Sequence, residues 1–287
     1  MVRIHVGQPF KIQAVPGNCH TRIFMDQPPL MAQSPLPAAS APATSLAARM
    51  MNVFAAPSEV FEEIKTTRPT TGNWLVPALL TAVVMAVSMV IVASQPAIQQ
   101  KVREQQDQAI EKQVKAGRLT RQQADQQQAV MEKFGSGTLL QAGAGVVGVF
   151  FGIGRVFWWA TVVWLLGRWL LRTQFSYGKA MEAAGIAGMI GVLGMIVTLL
   201  LQVNFSNPSA SPSLALAVSD FDAKKPGHLL LAALDVFQIW QAGVLGCALA
   251  RLAGVPFLRG AFVMFGFWII WQSLGIGLGA MVGKMFG

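Results

Sequence analysis

Five polar residues stand inside long apolar blocks of the chain: Arg155, Asp235, Gln238, Gln241 and Gln272. A charged group within such a block usually faces a partner or a water-filled cavity. Asp235 and Gln238 are three residues apart, which on a helix puts them on one face, and Gln241 extends that face by another turn. Gln272 and Ser273 offer polar groups from the last block. Two chemistries fit these residues. One is a polar pathway for an ion or small solute. The other is an Arg155–Asp235 pair, with amide hydrogen bonds fixing a bundle, and it is favoured because a conducting path needs more polar lining than this.

Other chemistry finds little support. His5, His20 and His228 lie in a polar tail or at the edge of an apolar block, and none has the spacing of a metal site or a nucleophile–base set. Cys19 and Cys247 have no metal-ligand spacing, and their surroundings make an intrachain disulfide improbable. Gly143-Ala144-Gly145-Val146-Val147-Gly148 spells GxGxxG, but a dinucleotide site needs a preceding strand, and here the motif sits inside an apolar helix. Close helix packing is the better reading for Gly148 and Gly152, for Gly275, Gly279 and Gly283, and for Gly185, Gly188, Gly191 and Gly194. Such faces could pack within the chain or between copies in a homo-oligomer. Asn204-Phe205-Ser206 is a formal glycosylation sequon, short enough to arise by chance. No catalytic residue, cofactor or metal is expected.

The elements that must position these residues follow from composition. Of 287 residues, 53% are hydrophobic and 12% charged, where a soluble globular domain carries about 25% charge. A soluble domain and a wholly disordered chain are both excluded. The formal net charge of +9 suits anionic headgroups rather than nucleic acid, because many basic residues flank the apolar blocks. The expected fold is all-α, a polytopic integral membrane helical bundle with about five transmembrane helices.

Residues 1–45, rich in Pro, Ala, Ser and Gln, read as a disordered tail. Leu46, Met50, Phe54, Phe61 and Ile64 then recur at helical spacing, broken at Pro57-Ser58. They predict a short helix lying on the membrane surface, or one packed on the protein itself. Spans are predicted at Trp74–Ser94, Leu139–Leu171, Ala180–Val203, Leu229–Arg251 and Gly260–Gly283. The second, at about 1.5 Å per residue, exceeds a hydrocarbon core of about 30 Å and must tilt, protrude or break near Gly152–Arg155. Glu182, near the start of the third, is within easier reach of water.

Residues 95–136, dense in Gln, Glu, Lys and Arg, predict an extramembrane helical hairpin. Gly117 ends its first helix, and Thr120 with Gln123 forms a capping box for the second. With the hairpin set apart, the Lys and Arg flanking the spans favour a cytoplasmic N-terminus; counting the hairpin reverses the balance.

The arrangement resembles the Yip-type (Ypt/Rab-interacting protein) membrane domain family, in its bacterial, uncharacterised branch. The similar stretches are Phe54-Ala55-Ala56-Pro57-Ser58-Glu59-Val60-Phe61, Phe175-Ser176-Tyr177-Gly178-Lys179-Ala180, Leu234-Asp235-Val236-Phe237-Gln238-Ile239-Trp240 and Arg259-Gly260-Ala261, with Trp268 and Trp271. The likeness covers residues 46–283. It implies five spans, a cytoplasmic N-terminus and no enzymatic site. Eukaryotic members act as adaptors for small GTPases and in membrane traffic or shaping. The N-terminal region here lacks their Asp-Leu-Tyr-Gly-Pro motif, and no proline follows Gly185 in the third span. The expectation is a scaffold or interaction protein of the bacterial inner membrane, with the bilayer as one partner and a protein at the 95–136 hairpin as another. A transporter or channel component using Arg155, Asp235, Gln238 and Gln272 is the rival.

Overall fold

The computed structural model describes residues 44–134, 138–218, 221–222 and 225–286; the tail reading falls almost wholly outside them. Order begins with two short helices, α1 (Leu46–Asn52) and α2 (Pro57–Thr66). Ser45 caps α1 by accepting from the Ala48 N–H, and Pro57 starts α2 where a missing N–H costs nothing. Val60, Phe61 and Ile64, one face of α2, are buried in the shared core of the bundle, where α2 packs on the helices Val236–Ala253 and Tyr177–Asn204. That apolar face is therefore taken up by the protein itself.

Five helices are long and apolar enough to cross a membrane, over Gly72–Ser94, Leu140–Leu170, Tyr177–Asn204, Val236–Ala253 and Phe257–Gly279. They lie within α3 (Gly72–Ser94), α6 (Thr138–Leu165), α7 (Tyr177–Asn204), α9 (Val236–Ala253) and α10 (Phe257–Phe286). The long second block does not break at Gly152–Arg155: it runs unbroken through α6 and ends in a π-turn over Leu166–Leu170. The ring of Phe175 packs where a side chain on Gly167 would stand. Ser176 then caps α7.

The fourth block differs more. Pro226–Ala233 forms a separate short helix, α8, and the chain is extended at Asp235 before α9 begins at Val236. Aspartate competes for backbone N–H groups and so favours helix starts over helix interiors.

Between α3 and α6 stand α4 (Pro96–Lys115) and α5 (Arg121–Phe134), polar and largely exposed. Gly117 adopts φ +69° after α4, and Thr120 and Gln123 exchange the two hydrogen bonds of a capping box at 3.0 and 3.2 Å.

α3 packs on α6 and α7, and α9 on α7 and α10. Side chains at Gly148 and Gly152 would meet the backbones of Ala86 and Ala82 at 2.6 and 2.5 Å, so the GxGxxG stretch serves contact with α3. By contrast, Gly275 and Gly277 have nothing within 4 Å of their ideal Cβ positions. Val163, Ile186, Ile190, Leu245, Leu249 and Met264 fill the core.

Candidate functional site

Asp235 is placed by the break between α8 and α9. Its carboxylate accepts from the N–H groups of Phe237 and Gln238 at 2.9 and 3.0 Å, filling the N-cap of α9. The segment before α8 folds back to meet it. Val236 N–H donates to Pro212 at 3.1 Å and Leu214 N–H to Leu234 at 3.4 Å, making a single antiparallel bridge between Ser213 and Asp235. Irregular backbone of this kind survives among spanning helices only where its polar groups are satisfied by protein or line a cavity.

Arg155 comes from the middle of α6. Its Nη2 donates to Oε1 of Gln241 on α9 at 2.6 Å. Gly191 of α7 makes room, since an added Cβ there would sit 2.7 Å from that nitrogen. The direct Arg155–Asp235 pair expected from sequence is not made: the ion pairs found among the described residues do not include Arg155. Asp235 is turned instead to the start of α9, an attraction that α9's own N–H groups and dipole supply. Gln272 reaches Gln238 at 3.3 Å. The five candidates therefore form two amide-linked pairs, with Asp235 as a cap between them. An arginine near a bilayer's centre costs roughly 2.5–3.5 kcal/mol on insertion scales, and a single hydrogen bond to a neutral amide offsets only part of that. The Nε2 of Gln241, buried at 2% exposure, finds no partner among the described residues.

Arg155, Asp235, Gln238 and Gln241 line one cavity of about 1570 Å³. Its wall includes Met85, Met89, Phe150, Trp158, Met195 and Trp271, and its far end is rimmed by Arg103, Asp107 and Gln128 of the polar hairpin. Sequence reasoning missed this wall. The visible signal was aromatic spacing, Trp158 on α6 and Trp268 with Trp271 on α10, whose rings meet at 4.6 Å between Trp158 and Trp271.

A second polar network lies at the opposite end, where α1, α2, α3 and α7 converge. Glu182, 1% exposed rather than reaching water, accepts from Thr70 N–H at 2.7 Å, Thr70 Oγ1–H at 3.1 Å and the Asn73 amide at 2.8 Å. Its other oxygen meets Lys179 Nζ at 3.0 Å, and that ammonium also donates to the carbonyls of Ile64 and Thr67 at 2.5 Å. Asn73 in turn accepts from Arg49, which pairs with Glu63 at 2.8 Å. Partial burial pushes the Glu63 carboxyl up, but bonds from Arg49 and Thr44 outweigh it and hold it below the usual carboxylate value. Sequence reading found neither Arg49 nor Asn73, because nothing in their local pattern marks them as buried.

The remaining candidates do not assemble. Cys247 is buried in α9, and Asn204 donates back to the Leu200 carbonyl at 2.7 Å. His5, His20 and Cys19 lie outside the described residues.

Comparison with known proteins gives one match. The family model described as Yip1 domain matches residues 51–279. No curated protein and no solved structure matches the chain significantly.

Proposed function

The chain belongs to the Yip1 domain family, and on that premise we propose that this integral membrane protein is a non-catalytic scaffold or interaction protein whose 95–136 hairpin presents the binding surface for a protein partner. In this reading it sits in a bacterial cytoplasmic membrane with its N-terminus in the cytoplasm. One observation carries the preference for a scaffold over a conduit. Past Arg155, Gly191 and Gln241 the cavity meets packed side chains: Val163, Ile186, Ile190, Leu245 and Leu249, all fully buried, fill the bundle there. A transport path needs an opening toward each side in turn, and this end is filled by packed side chains and the Glu182–Lys179 network.

The hairpin suits a partner surface because it carries charge and amide groups on two capped helices, with Gln128 donating to Asp107 across them at 3.2 Å. Replacing residues 96–134 by a short Gly/Ser linker should leave a folded bundle and remove the partners that crosslink to the intact protein in cells. An unchanged crosslinking pattern rejects the hairpin as the surface.

The transporter reading keeps one specific support, since Arg155, Asp235 and Gln238 share a cavity. In proteoliposomes it requires proton or cation flux that collapses in Asp235→Asn. The scaffold reading requires no flux above empty vesicles for either protein.

A further inference from the structure

The cavity is unusual in what its deepest charge lacks. Arg155 carries five N–H donors in a fixed fork and uses one nitrogen on Gln241. Beside it, the Gln241 amide nitrogen has no partner among the described residues although its residue is almost fully buried. Two donor groups thus converge at the cavity's base, and the ion pairs among the described residues include neither of them. Asp235, the acid near them among the described lining residues, is engaged at the cap of α9. The other acid on the lining is Asp107, at the hairpin rim, and it accepts from Gln128.

Above this base the α6 side of the wall is apolar, while Ser88, Thr198, Gln202 and Gln238 add polar groups from the other helices. On α6 it runs from Arg155 to Leu140, which at about 1.5 Å per residue is about 22 Å, most of the roughly 30 Å of a hydrocarbon core. The volume, about 1570 Å³, exceeds the upper range of about 1,000 Å³ for drug-sized ligands. The wall also includes Phe150 and Phe151, 74% and 64% exposed, so the cavity opens sideways, where the bilayer lies. A polar anion entering from water would leave this wall unused. A neutral lipid would leave the unused N–H donors of the arginine fork without a charged acceptor.

We propose that this cavity binds an anionic amphiphile drawn from the bilayer, its acidic head against Arg155 and Gln241 and its alkyl chain along the methionine- and tryptophan-lined wall. The head can be a carboxylate or a phosphate ester, since both accept from a guanidinium in the same bidentate manner. The site is independent of whether the hairpin holds a protein partner.

The test uses the full chain in nanodiscs of phosphatidylcholine. Brominated stearic acid and the matching brominated stearyl alcohol are titrated while tryptophan fluorescence is followed, because Trp158 and Trp271 line the site. The acid should quench saturably beyond the alcohol. Phosphatidylglycerol should displace it, and inorganic phosphate should not. Arg155→Gln should weaken the acid at least about tenfold, the worth of one charge-assisted hydrogen bond, and leave the alcohol unchanged. Asp235→Asn, which keeps a good N-cap while removing the nearby negative charge, should tighten the acid. Equal quenching by acid and alcohol overturns the proposal, as does wild-type affinity in Arg155→Gln or full displacement by inorganic phosphate. Should Arg155→Gln fail to fold, an unchanged or weaker affinity in Asp235→Asn overturns it alone.

Discussion

Replacing Glu182 with alanine is the sharpest test of how the end of the bundle opposite the cavity is held. The carboxylate is 1% exposed and accepts four hydrogen bonds, from Thr70 N–H, Thr70 Oγ1–H, Asn73 and Lys179. Removing one member of a buried ion pair leaves the other uncompensated, at about 3–5 kcal/mol. Lys179 keeps the carbonyls of Ile64 and Thr67, which favours the lower end of that range. The same logic makes a double replacement, Lys179→Met with Glu182→Met, less harmful than Glu182→Ala alone, because no buried charge is then stranded. Glu111 supplies the control. Its pair with Lys115 is shorter, 2.7 Å against 3.0 Å, yet wholly exposed on the hairpin, so Glu111→Ala should leave stability unchanged within error. The assay is unfolding by dodecyl sulfate in mixed micelles, followed by the fluorescence of the eight tryptophans. A loss below about 1 kcal/mol for Glu182→Ala, the scale of a surface pair, would refute a buried network.

Two further outcomes follow from the same geometry. Because the Glu63 carboxyl is held below its ordinary value by Arg49 and Thr44, its contribution is complete above the unfolded carboxylate value and disappears as pH falls through the lower folded one; hydrogen exchange in residues 46–52 should therefore quicken on acidification, and Glu63→Gln should remove that dependence. Gly152→Ala should push α3 from α6, with a loss of about 1–3 kcal/mol, since its Cβ would lie 2.5 Å from the Ala82 backbone, whereas Gly154→Ala, with nothing within 4 Å, should be neutral or stabilising in the same unfolding assay.

The five spans were legible because crossing a bilayer is a length-and-hydropathy problem, and each apolar block solves it on its own. The hairpin's internal stops were legible for a similar reason: Gly117 and the Thr120–Gln123 box act within a few residues of themselves. Asp235 marks where local reading failed. It sits in an apolar run, so hydropathy carries the span through it, yet its preference for capping backbone N–H groups starts a new helix there. The segment that steadies the break, around Ser213, lies outside the local sequence of Asp235 and meets it in a single bridge. Arg155 was visible as a charge out of place. Its neighbour Gln241 was visible too, but the pairing of an arginine with an amide rather than with the nearest acid depends on how α6 and α9 meet. Arg49 and Asn73 were invisible, since burial of a polar residue at a helix end is decided by what folds over it.

The glycines of α7 connect the two polar networks. Gly185, Gly188, Gly191 and Gly194 recur every three residues, and at about 100° per residue each step falls some 60° short of a full turn. Such a series does not line one face as a four-residue spacing roughly would; it winds around the helix. The contacts follow that winding. Gly185 lies under Trp74 of α3, Gly191 under Arg155 of α6 and Gln241 of α9, and Gly194 under Phe237 of α9. α7 is therefore the post against which three different helices close, and Glu182, one turn before this series, ties the same post to α1 and α2 through Asn73, Arg49 and Lys179. Gly191 has the more specific consequence. A side chain there would displace the Arg155 guanidinium and the Gln241 carbonyl together, while one at Gly188 would meet nothing within 4 Å. The position of the arginine at the cavity's base is thus fixed by a missing side chain on a neighbouring helix, and any ligand the fork holds is placed by that absence.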